Sequence, residues 1–325
     1  MNELYAADPL SCENSGDLRY LLSQFGPFTG RYLAAYPVSW RGEIRERCET
    51  LGPIEAERVK VLLRRARERA ALLCKAALPW DDRNNWLENY RSVLRQHPRE
   101  FASGIVPRPF QARDVIMIDD LDLSPTADES IEAIPKEYLR VSKTLLLLSP
   151  ELVFVDPYLN PCKSDRQDVL VEMFRLAGRG KCRGITCWAR DSEIVGDRRY
   201  SWDEVRAAIE KILTAAEWPG DREFRYLLVD DATCRSKMHA RYLVSIKGGI
   251  RYDQGFQRLP KGRRNDVSPL GSVLHDHVLK TYHEGEHDME IVRAFERTVR
   301  EPLKNERCSL GDAAKTRGKS AGART

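Results

Sequence analysis

The chain has 325 residues, 42% of them hydrophobic and 31% charged, and a net charge of +4. The length suits about two domains, and the composition is that of an ordinary globular protein and not of a fibrous or low-complexity chain. The longest apolar runs, Leu145–Leu148 and Leu152–Val155, fall far short of the roughly 20 residues that span a bilayer, so no membrane span is expected.

The first residues carry neither a basic n-region nor an apolar h-region, so no signal peptide is expected. The eight cysteines (Cys12, Cys48, Cys74, Cys162, Cys182, Cys187, Cys234 and Cys308) form no Cys-x-x-Cys pair. That scatter fits a reduced, cytoplasmic setting better than a disulfide framework or a zinc module. No metal and no cofactor is expected.

Residues 1–110 read as a helical region. Asn14-Ser-Gly-Asp opens a helix that ends near Gly26. Residues 54–77 form the strongest helical pattern, with Pro53 before them and Val59, Leu62, Leu63, Ala66, Ala70 and Leu73 at helical spacing. The opposite face carries Arg58, Lys60, Arg64, Arg65, Arg67 and Arg69. Two readings stay open for it: contact with nucleic acid, or a solvated face paired with Glu55, Glu57 and Glu68. A further helix, capped by an Asp or Asn after Trp80, runs to about Gln96.

Residues 111–134 read as a strand, 115–118, followed by an acidic linker. Residues 135–303 alternate helices (136–148, 166–177, 202–217) with strands (152–156, 184–189, 224–230), the rhythm of βαβ units and a mainly parallel sheet. A hairpin follows, strand 239–246, Gly248-Gly249, strand 250–253. Helices near 270–282 and 287–299 close the domain. Residues 304–325 hold six basic and two acidic residues among Gly, Ala and Ser, a tail too polar to fold.

Two places carry chemistry. Asp156 ends an apolar strand directly before Pro157-Tyr158, and the carboxyl ends of strands line the ligand crevice of α/β sheets. It is read either as a site carboxylate or as a turn. His239 and Arg241, two apart at a strand start, share a face. A histidine can act as nucleophile or acid/base, and an arginine fork grips two phosphate oxygens. The pair suits a phosphodiester.

Asp253 is the nearest further carboxylate. A two-residue Gly248-Gly249 turn places it opposite Val244, on the face away from His239. A three-residue turn including Lys247 places it opposite Leu243, on the same face. Tyr158, Lys237, Arg251 and Gln254 flank these residues as expected substrate contacts. His283 and His287 read as helix-end residues, with His283 as the one candidate for a second proton donor.

The run Val-Phe-Val-Asp156-Pro-Tyr, with the later His239-Ala-Arg241 strand and glycine-containing hairpin, resembles the phospholipase D-like superfamily over about residues 135–283. His-x-Arg before such a hairpin is also similar to the C-terminal phospholipase D-like domain of MIT-domain proteins. The resemblance implies an α/β fold, a phospholipase D-like mixed sheet flanked by helices and preceded by the helical N-terminal region.

It also implies a bacterial phosphodiesterase or nuclease acting on nucleic acid in an antiviral-defence setting. A catalytically inactive binding or scaffold module is the alternative. His239 is then the nucleophile or general base, Arg241 the charge stabiliser, and Asp156 or Asp253 the orienting carboxylate. The family pattern is His-x-Lys with an aspartate after four intervening residues; here Arg241 and Ile246 stand at those two positions, and there is no second motif. Two histidines in one site then require a homodimer. Nucleic acid or another phosphodiester is the expected ligand, and partner proteins are expected on the N-terminal helices.

Overall fold

The computed structural model describes residues 3–68, 71–74, 78–98, 100–107, 113–121, 128–196, 199–232, 234 and 237–298. The expected basic tail and the middle of the acidic linker lie outside the described residues. The molecule is mixed α/β, built on one parallel and one mixed sheet with flanking helices.

The N-terminal region is not purely helical. Strands β1 (Glu3–Ala7), β2 (Arg31–Ala35), β3 (Leu72–Cys74), β4 (Gly104–Val106) and β5 (Val115–Met117) form a sheet in the order β3-β2-β1-β4-β5, parallel throughout. Leu4 and Ala6 alternate with Tyr5 and Ala7 between two separate apolar clusters, and Tyr32 and Ala34 alternate with Leu33 and Ala35. Both faces are covered, so these strands read as short continuous apolar runs without polar alternation. Their alanines mimic a helical composition.

Helices α1 (Ser15–Ser23), α2 (Trp40–Glu49) and α3 (Pro53–Glu68) cover one face, where Val59, Leu63 and Ala66 of α3 meet Leu18, Ile44 and Leu33. The Asn14 side chain caps α1 by accepting from the Gly16 and Asp17 amides. The helix expected over 54–77 ends at Glu68, and Leu72–Cys74 turns into β3. Helix α4 (Trp86–Gln96) packs Trp86, Tyr90 and Val93 on the other face, opened by a capping box between Asn85 and Glu88.

The larger sheet begins inside the expected linker with β6 (Glu129–Glu132). Helix α5 (Pro135–Leu148), β7 (Glu151–Val155), α6 (Ser164–Arg179), β8 (Gly184–Arg190), the short α7 (Asp191–Ile194), α8 (Trp202–Ala215) and β9 (Glu223–Asp230) follow. The last elements are β10 (Tyr242–Ser245), β11 (Gly248–Tyr252), β12 (Arg264–Pro269), α9 (Ser272–Tyr282) and β13 (Glu290–Arg297).

The sheet order is β13-β9-β8-β7-β10-β11-β12-β6. The trio β7, β8 and β9 is parallel, and the other neighbours pair antiparallel. Residues 290–297 are a strand and not the helix expected over 287–299. A register shift between Ile291 and Arg293 breaks the two-residue alternation that marks a strand, and most of β13 lies exposed on the sheet edge.

The largest apolar cluster runs from Trp86 and Tyr90 on the parallel sheet to Tyr138, Phe154 and Phe174 under α5 and α6. Fully buried Tyr32 of β2 donates its hydroxyl to the Lys247 carbonyl at 2.6 Å, which joins the parallel sheet to the β10–β11 turn.

Candidate functional site

The carboxyl end of β7 meets the segment that leads into β10. Strand β10 pairs with β7 through Tyr242↔Val155, so Arg241 falls next to Asp156. His239 and Arg241 sit just ahead of the strand, which starts at Tyr242 and not at 239 as expected. The segment is held open by Arg190 and Asp231 at the ends of β8 and β9. Arg190 grips Asp231 with two bonds of 2.8 Å, and Asp231 accepts the Met238 amide at 2.7 Å.

Burial pushes the Asp231 carboxyl up, but the Arg190 fork and the Met238 amide outweigh it and hold it below the usual range. Neither Arg190 nor Asp231 was among the expected site residues. The signal was the same one that marks Asp156, a charged residue at the carboxyl end of an apolar strand.

Asp156 is 3% exposed. One carboxylate oxygen accepts the Tyr158 amide at 2.9 Å, and the other accepts the Phe256 amide at 3.2 Å. Burial raises its pKa, opposed by those two amides and by the charges of Arg241 and Arg166. Asp156 is therefore a clamp between the Asp-Pro-Tyr turn and the 253–257 loop.

The loop fits no residue but glycine at 255. Gly255 has φ +68°, and a Cβ there would stand 2.1 Å from the second Asp156 oxygen. Tyr138 and Asn265 hold the loop from beneath: Tyr138 donates to the Gln257 carbonyl at 2.7 Å, and Asn265 bonds the Gly255 carbonyl at 3.0 Å.

Arg241 lies 3.9 Å from Asp156, donates to the Asp253 carbonyl at 2.7 Å and places its guanidinium 5.3 Å from the Tyr158 ring centre. Arg166 donates to the Tyr158 carbonyl at 2.7 Å. Two arginines thus contact the turn Asp156–Tyr158.

Asp253 joins this cluster through its backbone alone. The hairpin turn is Ile246-Lys247, because Ser245 pairs with Gly248 and Tyr242 with Arg251. Neither expected register holds. Asp253 lies just past the end of β11 at Tyr252, and its amide donates to the Asp266 carbonyl at 2.9 Å. Its carboxylate lies 4.0 Å from Arg251 and 3.4 Å from the Gln254 amide. Arg251 and Gln254 are thus gathered around Asp253 and not around Asp156.

His239 and Lys237, two and four residues ahead of Arg241, are exposed, and His239 makes no hydrogen bond or ion pair with the described residues. The other histidines of this region do not complete a pair with it. His275 is buried on the Ser245 carbonyl at 2.8 Å, and His283 bonds Glu151 at 2.7 Å. Both lie toward the opposite end of β7 and β10, which takes His283 out of the proton-donor role. His287 packs edge-on to Trp188, with ring centres 5.2 Å apart.

Among the described residues, no three His, Cys, Asp or Glu side chains are grouped to hold a metal ion. No described helix is long and apolar enough to cross a membrane. The fold and site define an α/β protein with a turn contacted by two arginines at the carboxyl end of β7 in a mixed sheet. Among known proteins, no family model and no curated relative matches the chain.

Proposed function

We propose that the surface at the carboxyl ends of β7, β8 and β9 binds the phosphodiester backbone of nucleic acid and does not hydrolyse it. The observation that carries this reading is Arg241. Three contacts fix it, and Lys237 and His239 are exposed four and two residues ahead of it in the same segment. A guanidinium held in place before the ligand arrives loses little freedom on gripping phosphate.

Binding without hydrolysis is supported by the state of the other groups. A nucleophilic histidine needs a partner that fixes its tautomer and orientation. His239 has none among the described residues, and both Asp156 oxygens are taken by amides. The phospholipase D-like resemblance thus points to a binding descendant of that architecture, the alternative named from the sequence.

The test combines hydrolysis and binding. The wild-type chain is expected to leave bis(p-nitrophenyl) phosphate, single-stranded DNA and RNA intact, while binding labelled oligonucleotides with a steep salt dependence. Lys237→Ala combined with Arg241→Gln is expected to weaken binding about tenfold at low salt, the worth of two lost phosphate contacts. Hydrolysis that disappears in His239→Ala would overturn the reading in favour of catalysis.

A further inference from the structure

The basic face of α3 does not stand alone. Together with α2 it lines a groove of about 670 Å³, bordered by Arg41, Arg45, Lys60, Arg64 and Arg67 against Glu43 and Glu46. Lys60 and Arg64 have exposed helical partners, Glu57 at 3.8 Å and Glu68 at 3.9 Å. Arg41, Arg45 and Arg67 enter no ion pair among the described residues. The groove thus sets five cations against two carboxylates and is basic on balance.

The groove runs into a second hollow through Val38 and Ser39, which border both. This one holds about 400 Å³ and is lined by Tyr36, Pro37, Leu78, Trp80 and Asp82. It follows the carboxyl ends of β2 and β3, the side of a parallel sheet on which ligands bind.

Its aromatic wall is pre-organised. Trp80 meets Tyr36 edge-on at 5.4 Å, its indole N–H donates to Asp82 at 2.8 Å, and the Tyr36 hydroxyl donates to the Pro79 carbonyl at 3.0 Å. Trp80 nevertheless stays 36% exposed and Val38 79% exposed.

An aromatic hollow continuous with a groove that is basic on balance matches the two needs of a single strand, a stacking platform and a charged track. A duplex keeps its bases stacked and paired, and an acidic peptide has no flat group to stack. We propose that this cleft binds single-stranded nucleic acid, with one base against the exposed Trp80, which the buried Tyr36 supports edge-on, and the adjoining phosphates along Arg41, Arg45 and Arg67. The site is separate from the surface at β7 and does not rest on it.

The test is fluorescence anisotropy of the full chain with labelled 15-nucleotide dT and U strands and a duplex of equal length. For single strands, three phosphate contacts give a log–log salt slope of about −2. The triple variant Arg41→Ala, Arg45→Ala, Arg67→Ala is expected to flatten that slope. Trp80→Ala is expected to weaken binding about tenfold while leaving the slope unchanged, because stacking releases no counterions. Val38→Asp, on an exposed residue whose change leaves the fold intact, is expected to weaken binding as well.

Variants at Lys237 and Arg241 separate binding here from binding at the other surface. The proposal is overturned by a duplex bound as tightly as the single strand. It is equally overturned if Trp80→Ala and Val38→Asp bind like the wild type, or if the arginine triple variant keeps the wild-type slope.

Discussion

Gly255→Ala tests how the surface around Asp156 is built. The position has φ +68°, and an added Cβ would stand 2.1 Å from the second Asp156 oxygen and 3.3 Å from Cγ of Arg241. An alanine in the left-handed region costs about 1–2 kcal/mol. Moving Asp156 aside breaks the bond it accepts from the buried Phe256 amide, and an unsatisfied buried group costs about 1–3 kcal/mol. The expected loss is therefore about 2–5 kcal/mol, a large share of the about 5–15 kcal/mol that folded proteins command. Equilibrium urea unfolding measures it at constant m value. A loss below about 1 kcal/mol would refute the clamp, since it would mean that the loop can shift away from Asp156 freely.

Three other outcomes follow from the same contacts. Arg190→Ala leaves Asp231 nearly buried without its fork and is expected to cost about 3–5 kcal/mol, whereas the double variant Arg190→Met, Asp231→Leu costs less than the single one; thermal unfolding of both compares them. Because Asp231 is held below its ordinary pKa, its contribution to stability is complete at neutral pH. It is lost as pH falls below about 4 and through the folded-state value. A pH series of unfolding midpoints should show this acid loss in the wild type and a flatter acid limb in Asp231→Asn. Tyr32→Phe removes the hydroxyl bond to the Lys247 carbonyl and is expected to cost about 1 kcal/mol, with faster hydrogen exchange at the β10–β11 turn.

Much of the larger sheet was legible because its elements obey simple periods. Helix α8 begins at a Ser201–Glu204 capping box, and β7 is a short apolar run ended by Asp-Pro. The strands β1 and β2 were hidden because alanine-rich segments covered on both faces show no alternation, and the three-residue β4, Gly-Ile-Val, is too short to show a period. The strand β13 was hidden by its bulge.

Asp156 and the His239–Arg241 pair could be located from strand ends alone, and the β7–β10 register brings Asp156 and Arg241 together. The place of Asp253 could not be read. It depends on whether the hairpin turns at Ile246-Lys247 or one or two residues later, and two glycines in sequence drew the turn to themselves although they belong to β11. The Arg190–Asp231 grip was also out of reach, because it joins residues 41 apart through the packing of parallel neighbours.

The most direct test of the central claim is hydrogen exchange of the full chain with and without an abasic phosphodiester strand, read at residues 237–243 beside a hydrolysis assay of the same strand. Binding at this surface protects that segment and leaves the strand uncut, and Lys237→Ala with Arg241→Gln abolishes the protection. A segment whose exchange is unchanged by the strand, or a strand cleaved by the wild type and spared by His239→Ala, contradicts it.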